Sequence, residues 1–220
     1  MEGLKNELKE FFSGEPAGFG VADITGLNPL STEYPRALSI ILPYTSEFKV
    51  YDEGEFHGLL EDVRDLMKDI VGRLSDLLHS SNGGIKHLVV PQGGQDPETL
   101  TAFFPHKLAA VRAGLGWIGK SSLLITREYG PRVYLATVLV DCNIGSDKPV
   151  LKSECGSCSE CLKACPHLCI NNVNWHSGVP REELLDVYIC NAKREEVIES
   201  KGRKDECGLC LLACPYGKDC

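Results

Sequence analysis

Cys155, Cys158, Cys161 and Cys165, closed by Pro166, constrain this chain more than any other feature. They form the run CxxCxxCxxxCP, in which three close thiolates hold one [4Fe-4S] cube and the fourth cysteine reaches another. A second cube needs three further ligands. Cys190, Cys207 and Cys210 supply them, just ahead of a second Cys-Pro pair, Cys214-Pro215. Spacing therefore predicts one cluster on Cys155, Cys158, Cys161 and Cys214, and another on Cys165, Cys190, Cys207 and Cys210, with the two Cys-Pro cysteines exchanged.

Two other uses of cysteine fit less well. A disulfide framework suits small secreted domains, and zinc prefers two CxxC pairs to a CxxCxxC triplet. Cys142, Cys169 and Cys220 remain over and receive no role, since a spare cysteine is commonly a small buried hydrophobe.

Ten of the eleven cysteines lie between 155 and 220, so composition divides the 220 residues near position 150. The expected domains are 1–148, long enough to bury its own core, and 149–220, the two-cluster tail. The first residues, MEGLKNELKEFF, lack the apolar run of a secretory signal, and no stretch reaches the roughly 18 apolar residues of a membrane span. A cytoplasmic protein without membrane contact is expected, and a reducing compartment suits thiolate ligands. The formal charge is −8, from 23 basic and 31 acidic residues with no basic run, which argues against nucleic acid as a partner.

Along the front domain, apolar periodicity predicts a helix over 3–12, strands within 17–24 and over 36–42, and a long helix from Phe56-His57 to Asn82-Gly83-Gly84. A strand over 86–90 and a helix over 98–113 follow, with Pro105 disturbing the early turns of that helix. The apolar runs 123–126 and 133–140, separated by Glu128-Tyr129-Gly130-Pro131, read as an antiparallel hairpin. Alternating strands and helices predict a layered α+β fold. His57 is a candidate ligand or proton donor, or else a helix cap.

Gly114 to Ser121 satisfies the P-loop expression GxxxxGK[ST]. A P-loop must leave a buried strand and open a helix so that backbone N–H groups face phosphate, whereas here a helix precedes and a β-rich run follows. The match is rejected. Glycines around Trp117 then read either as close backbone approach to a large flat ligand, or as a tight turn that places Trp117 in the core.

RAGLGWIGKSSLLIT, YPRALSIILPY, Phe56-His57 and the cysteine layout from Cys155 to Pro215 resemble the epoxyqueuosine reductase family, which is related to the reductive dehalogenases. The resemblance implies a nitroreductase-like α/β sandwich domain followed by a small bacterial-ferredoxin-like domain. It implies cobalamin, with a flavin as the alternative, beside Gly114, Leu115, Gly116, Trp117, Ile118, Gly119 and Lys120. It further implies electrons that enter from an external low-potential donor and pass through two [4Fe-4S] clusters to cobalt and substrate.

The chain departs from the family in its substrate machinery. The acidic residue expected as proton donor falls near Leu100, with Asp96 and Glu98 out of register, and Glu55-Phe56-His57 stands where Asp-Tyr-His is usual. The family also continues beyond the second cysteine run, whereas this sequence ends five residues after Pro215. His57 and His106 are the candidates for acid chemistry, although an exposed, solvated His106-Lys107 pair is the plainer reading. No Asp-x-His-x-x-Gly spacing occurs, so no histidine of that type is expected below cobalt. These departures favour a reductase of a small substrate. The alternatives are an electron-transfer protein serving a partner redox protein, and a reductase of epoxyqueuosine in tRNA.

Overall fold

A computed structural model describes residues 2–44, 53–81, 83–201 and 207–217, apart from the side chains of residues 2, 53–57, 194 and 197–201. These residues form two compact units, each assembled from three separate stretches of chain. The first comprises Met1–Pro43, Asp62–Leu115 and Val133–Val150, and the second Tyr44–Glu61, Gly116–Arg132 and Leu151–Cys220. The cysteine-rich tail thus begins where composition places it, near residue 150. Gly116–Arg132 nevertheless belongs with it rather than with the residues that precede it in sequence.

In the first unit, α1 (Glu2–Ser13) leads into β1 (Gly18–Asp23), and the single 3₁₀ turn Pro29–Thr32 leads into β2 (Arg36–Pro43). Helix α1 buries Leu8 and Phe12, and Phe12 stacks on Phe19 with ring centroids 4.5 Å apart. Helix α2 (Glu53–Ser80) buries Leu60, Val63, Met67, Ile70, Val71, Leu74 and Leu78. Their three- and four-residue steps trace one face of a 3.6-residue helix. It ends where Ile85 N–H returns to the Leu78 carbonyl and Gly83 takes φ +88°. Asn82 lies outside the described residues.

β3 (His87–Val89) and β6 (Val133–Val140) complete an antiparallel sheet in the order β1-β2-β6-β3. Its register pairs Ser39 with Thr137 and Leu88 with Leu139. Helix α3 (His106–Arg112) packs on β1, β2 and β6. Ala109, Ala113 and Phe104 lie there in one apolar cluster with Ala22, Ile24, Tyr34, Ala37 and Leu139.

Two elements differ from expectation. The helix predicted over 98–113 begins only at His106. Pro105 disfavours helical geometry at the residue before it. Upstream, Asp96 instead holds a turn, accepting from the Glu98 and Thr99 N–H groups and the Thr99 hydroxyl, and Leu100 sits at φ +52°. The predicted hairpin also fails. Thr126 and Gly130 do exchange backbone bonds around a tight turn, but β5 (Leu124–Ile125) pairs with β4 (Trp117–Ile118), while β6 pairs with β2 and β3. Adjacency favours hairpins; here non-local pairing wins.

In the second unit, α4 (Glu160–Ala164) and α7 (Leu209–Ala213) are matching single-turn helices that contact each other. Each carries the last close cysteine of its run, Cys161 or Cys210, and ends at a Cys-Pro pair. They stop alike, with Cys165 at ψ 107° and Cys214 at ψ 126°, because the residue before proline is driven into extended geometry. Helices α5 (Arg181–Leu184) and α6 (Val187–Lys201) fill the interval and carry Cys190. Among the described residues no helix is long and apolar enough to cross a membrane.

Candidate metal centre

Cys155, Cys158, Cys161 and Cys214 line a single cavity together with Gly119, Lys120, Ser121, Ile125, Pro215 and Tyr216. Sequence places Cys214 more than fifty residues from the other three thiols; the fold brings them to one wall. Burial pushes the Cys161 thiol up to about 11, and the neighbouring Cys155, Cys158 and Cys214 sulfurs push in the same direction. Burial also raises Cys214, partly opposed by a hydrogen bond from the Tyr216 backbone, and Cys155 adds to the rise. Such mutual opposition to ionisation is what crowded thiols feel before a cation neutralises them.

The remaining thiols gather separately. Cys165 and Cys169 pack with Ile170 against Cys161, Cys190 and Cys210. Burial, then Cys207, Cys190, Cys161 and Cys165 in turn, push Cys210 up to about 12. Cys165 and Cys169 stand 3.4 Å apart at sulfur and respond oppositely. Burial alone would raise Cys165, but the backbone and thiol of Cys169 and the backbones of His167 and Leu168 lower it below the usual thiol range. Burial raises Cys169, and the Cys165 sulfur raises it further. Among the described residues no three His, Cys, Asp or Glu side chains converge as the ligands of one mononuclear ion would. Cys142 is half-buried in the first unit and Cys220 lies outside the described residues.

A frame of non-cysteine residues holds the first cavity. Tyr216 donates its hydroxyl to the Glu154 carbonyl at 2.9 Å and meets the Trp117 ring edge-on, with centroids 4.9 Å apart. Arg132 donates to the carbonyls of Leu211 (3.5 Å), Cys214 (3.3 Å) and Tyr216, clamping the turn that presents Cys214. At Gly130 a Cβ would stand 2.1 Å from the Tyr216 carbonyl oxygen, so this contact admits no side chain. Lys120, 3% exposed, donates to the Cys158 carbonyl and to Asn172 Oδ1, both at 2.9 Å. Asn174 holds the Gly156 carbonyl at 3.0 Å. Sequence reading missed Arg132, Tyr216 and Asn172. Only Tyr216, two residues past a ligand, carried a local signal.

The glycine loop packs closely on the protein's own backbone. Residues 116–120 are buried, and Trp117 is 1% exposed with its Nε1–H unpartnered among the described atoms. A Cβ on Gly116 would come within 2.1 Å of the Ile125 carbonyl oxygen, and one on Gly119 within 2.7 Å of Ile125 Cγ1. A Cβ on Gly114, at φ +75°, would come within 2.6 Å of the Lys148 carbonyl oxygen, and Leu115 donates to the Ala110 carbonyl at 3.0 Å. The glycines are required by the protein's own backbone. Rejection of the P-loop also stands: Lys120 is tied to Cys158 and Asn172, and β5 rather than a helix follows.

His106 is not the exposed, solvated residue expected. Its Nδ1 lies 2.8 Å from Thr137 Oγ1 and its Nε2 3.4 Å from the Pro91 carbonyl, which fixes the start of α3 to the sheet. The side chain of His57 lies outside the described residues, although its backbone is in α2.

A mixed α/β chain whose second unit gathers four thiols around one cavity has a donor set that suits an iron–sulfur cluster. No protein-family model matches it. The chain is similar to the epoxyqueuosine reductases: it is 33% identical to that of Cyclobacterium marinum over 113 residues, 50% of this chain and 36% of the relative. Among solved structures, a selenomethionine-labelled epoxyqueuosine reductase superposes with TM-score 0.67 at 22% identity, covering 99% of this chain and 66% of that one. An epoxyqueuosine reductase with an epoxyqueuosine-modified tRNA-Tyr stem loop gives TM-score 0.59 at 22% identity, covering 99% of this chain and 66% of that one. A reductive dehalogenase whose structure suggests a mechanism for B12-dependent dehalogenation gives 0.69 at 16% identity, covering 91% of this chain and 29% of that one. The chain therefore spans little more than a third of the curated relative and about two thirds of the epoxyqueuosine reductase structures. A fold neighbour holds a tRNA stem loop, so the net charge of −8 does not by itself exclude a nucleic-acid partner.

Proposed function

We propose that this protein is an iron–sulfur oxidoreductase with two [4Fe-4S] clusters, one on Cys155, Cys158, Cys161 and Cys214 and the other on Cys165, Cys190, Cys207 and Cys210. The observation that carries the reading is the cavity walled by the first four thiols, contributed from both cysteine runs. The donor set fits: four cysteines, no carboxylate among the lining residues, and a half-buried to buried setting that keeps water from the sulfurs. A bound cluster supplies one-electron transfer at low potential. The chain's own residues orient the sulfurs, through Arg132 and Tyr216 on the Cys214 turn and Lys120 on the Cys158 carbonyl. The matching half-sites around α4 and α7 favour a bacterial-ferredoxin-like second domain, and the sheet with α3 upon it favours a nitroreductase-like first one.

Likeness to a B12-dependent dehalogenase favours a corrinoid as electron acceptor. The loop proposed beside it, Gly114 to Lys120, packs residues 116–120 against Ile125 and the thiol cavity. No chemical step is assigned to that loop. For substrate, similarity to epoxyqueuosine reductases favours epoxyqueuosine in tRNA over the small molecule expected from the missing acidic residue.

The test is anaerobic iron and sulfide analysis with EPR of the dithionite-reduced protein. About eight irons per chain are expected. Four or fewer would overturn the two-cluster reading. Anaerobic incubation with hydroxocobalamin, then with reduced donor and epoxyqueuosine-containing tRNA, tests acceptor and substrate in turn.

A further inference from the structure

We propose that Lys120 is the built-in countercharge of the first thiol site, and that it sets that cluster's reduction potential above the value the four sulfurs alone would give. This rests on the iron–sulfur reading of the cavity. Lys120 lines the cavity with the four cysteines and is 3% exposed. Two of the three donors of its ammonium are taken by neutral oxygens, the Cys158 carbonyl and Asn172 Oδ1. Among the described residues no carboxylate lies within ion-pair distance of it; every ion pair found involves other cations.

A buried ammonium without an anion is among the costliest arrangements in a protein interior. The anion available in that cavity is the thiolate set itself. Lysines are rarely this buried, and the two hydrogen bonds do not remove the need for charge, because both acceptors are neutral. Asn172 adopts φ +61°, a left-handed conformation that asparagine tolerates better than most residues, and from there its side-chain oxygen meets Lys120. The ammonium is therefore held at the cavity wall by two fixed partners and does not swing to solvent.

The sign of the effect follows. Reduction adds an electron to a site already rich in negative charge, and a fixed positive charge stabilises the reduced form more than the oxidised one. Removing the charge lowers the potential. Lys120→Gln keeps a hydrogen-bond donor for the Cys158 carbonyl and loses the charge, whereas Lys120→Arg keeps the charge.

The experiment is an EPR-monitored dithionite titration of anaerobically prepared protein, with iron content measured on the same samples. In Lys120→Gln one of the two clusters should show a reduced-to-oxidised ratio about tenfold lower at fixed poise, about 59 mV for a one-electron couple, with the other cluster unmoved. Lys120→Arg should stay within about threefold of the parent, on the same scale. Loss of the first cluster in the Gln variant alone also supports the assignment, since a neutral donor then fails where a cation succeeds. An unchanged potential in Lys120→Gln, equal shifts in both clusters, or loss of the cluster in both variants overturns it. A parent protein without iron defeats the proposed function instead, and is recognised before any variant is compared.

Discussion

His106 links α3 to the sheet through Thr137, and its surroundings make it sensitive to acid. Burial lowers its pKa below the ordinary 6.5, only partly opposed by the Pro91 carbonyl, so the folded chain takes up this proton less readily than the unfolded chain. Its contribution to stability is complete above the unfolded value and is lost as pH falls through the folded one. We expect the urea midpoint to drop more between pH 7.5 and 5.5 in the parent than in His106→Gln; equal drops would remove this residue from the pH response. Gly116 gives a second residue-scale outcome. Because its Cβ would lie 2.1 Å from the Ile125 carbonyl oxygen, Gly116→Leu must push β4 from β5, next to the wall formed by Gly119, Ile125 and Cys155. Iron should fall from about eight towards four per chain. Full iron retention would show that the β4–β5 contact yields without disturbing the thiol wall.

At the scale of elements, α4 and α7 show how much a short motif prescribes. Each needs only a close CxxC pair and a Cys-Pro stop, and the extended exit follows from proline sterics. The exchange of Cys-Pro cysteines is equally motif-driven. Cys214→Ser should therefore abolish the EPR signal of the cluster whose other ligands are Cys155, Cys158 and Cys161, even though those three are untouched. Loss confined to the set of Cys190, Cys207 and Cys210 would reverse the pairing. Strands β1 and β2 and helix α2 were equally legible, because burial of one face imprints a period on the local sequence. The 123–140 region was not. Val133–Val140 and Leu124–Ile125 look like hairpin partners, and nothing local says that each finds its partner elsewhere.

For the whole molecule, the sequence by itself determined the proposed thiol sets, through cysteine spacing, and the mixed α/β character, through apolar periodicity. These follow from ligand chemistry and apolar periodicity, both of which act over a few residues and so leave a mark on the sequence. Tertiary structure alone decided the rest. It assigned Gly116–Arg132 to the cysteine-rich unit, packed the glycine loop on Ile125, and buried Lys120 beside four thiols. It also recruited Arg132, Asn172 and Tyr216, which belong to no motif. The physical reason is that backbone approach, side-chain reach and charge burial depend on which distant segments meet, and a chain records its own periodicity far more plainly than the identity of its neighbours in space.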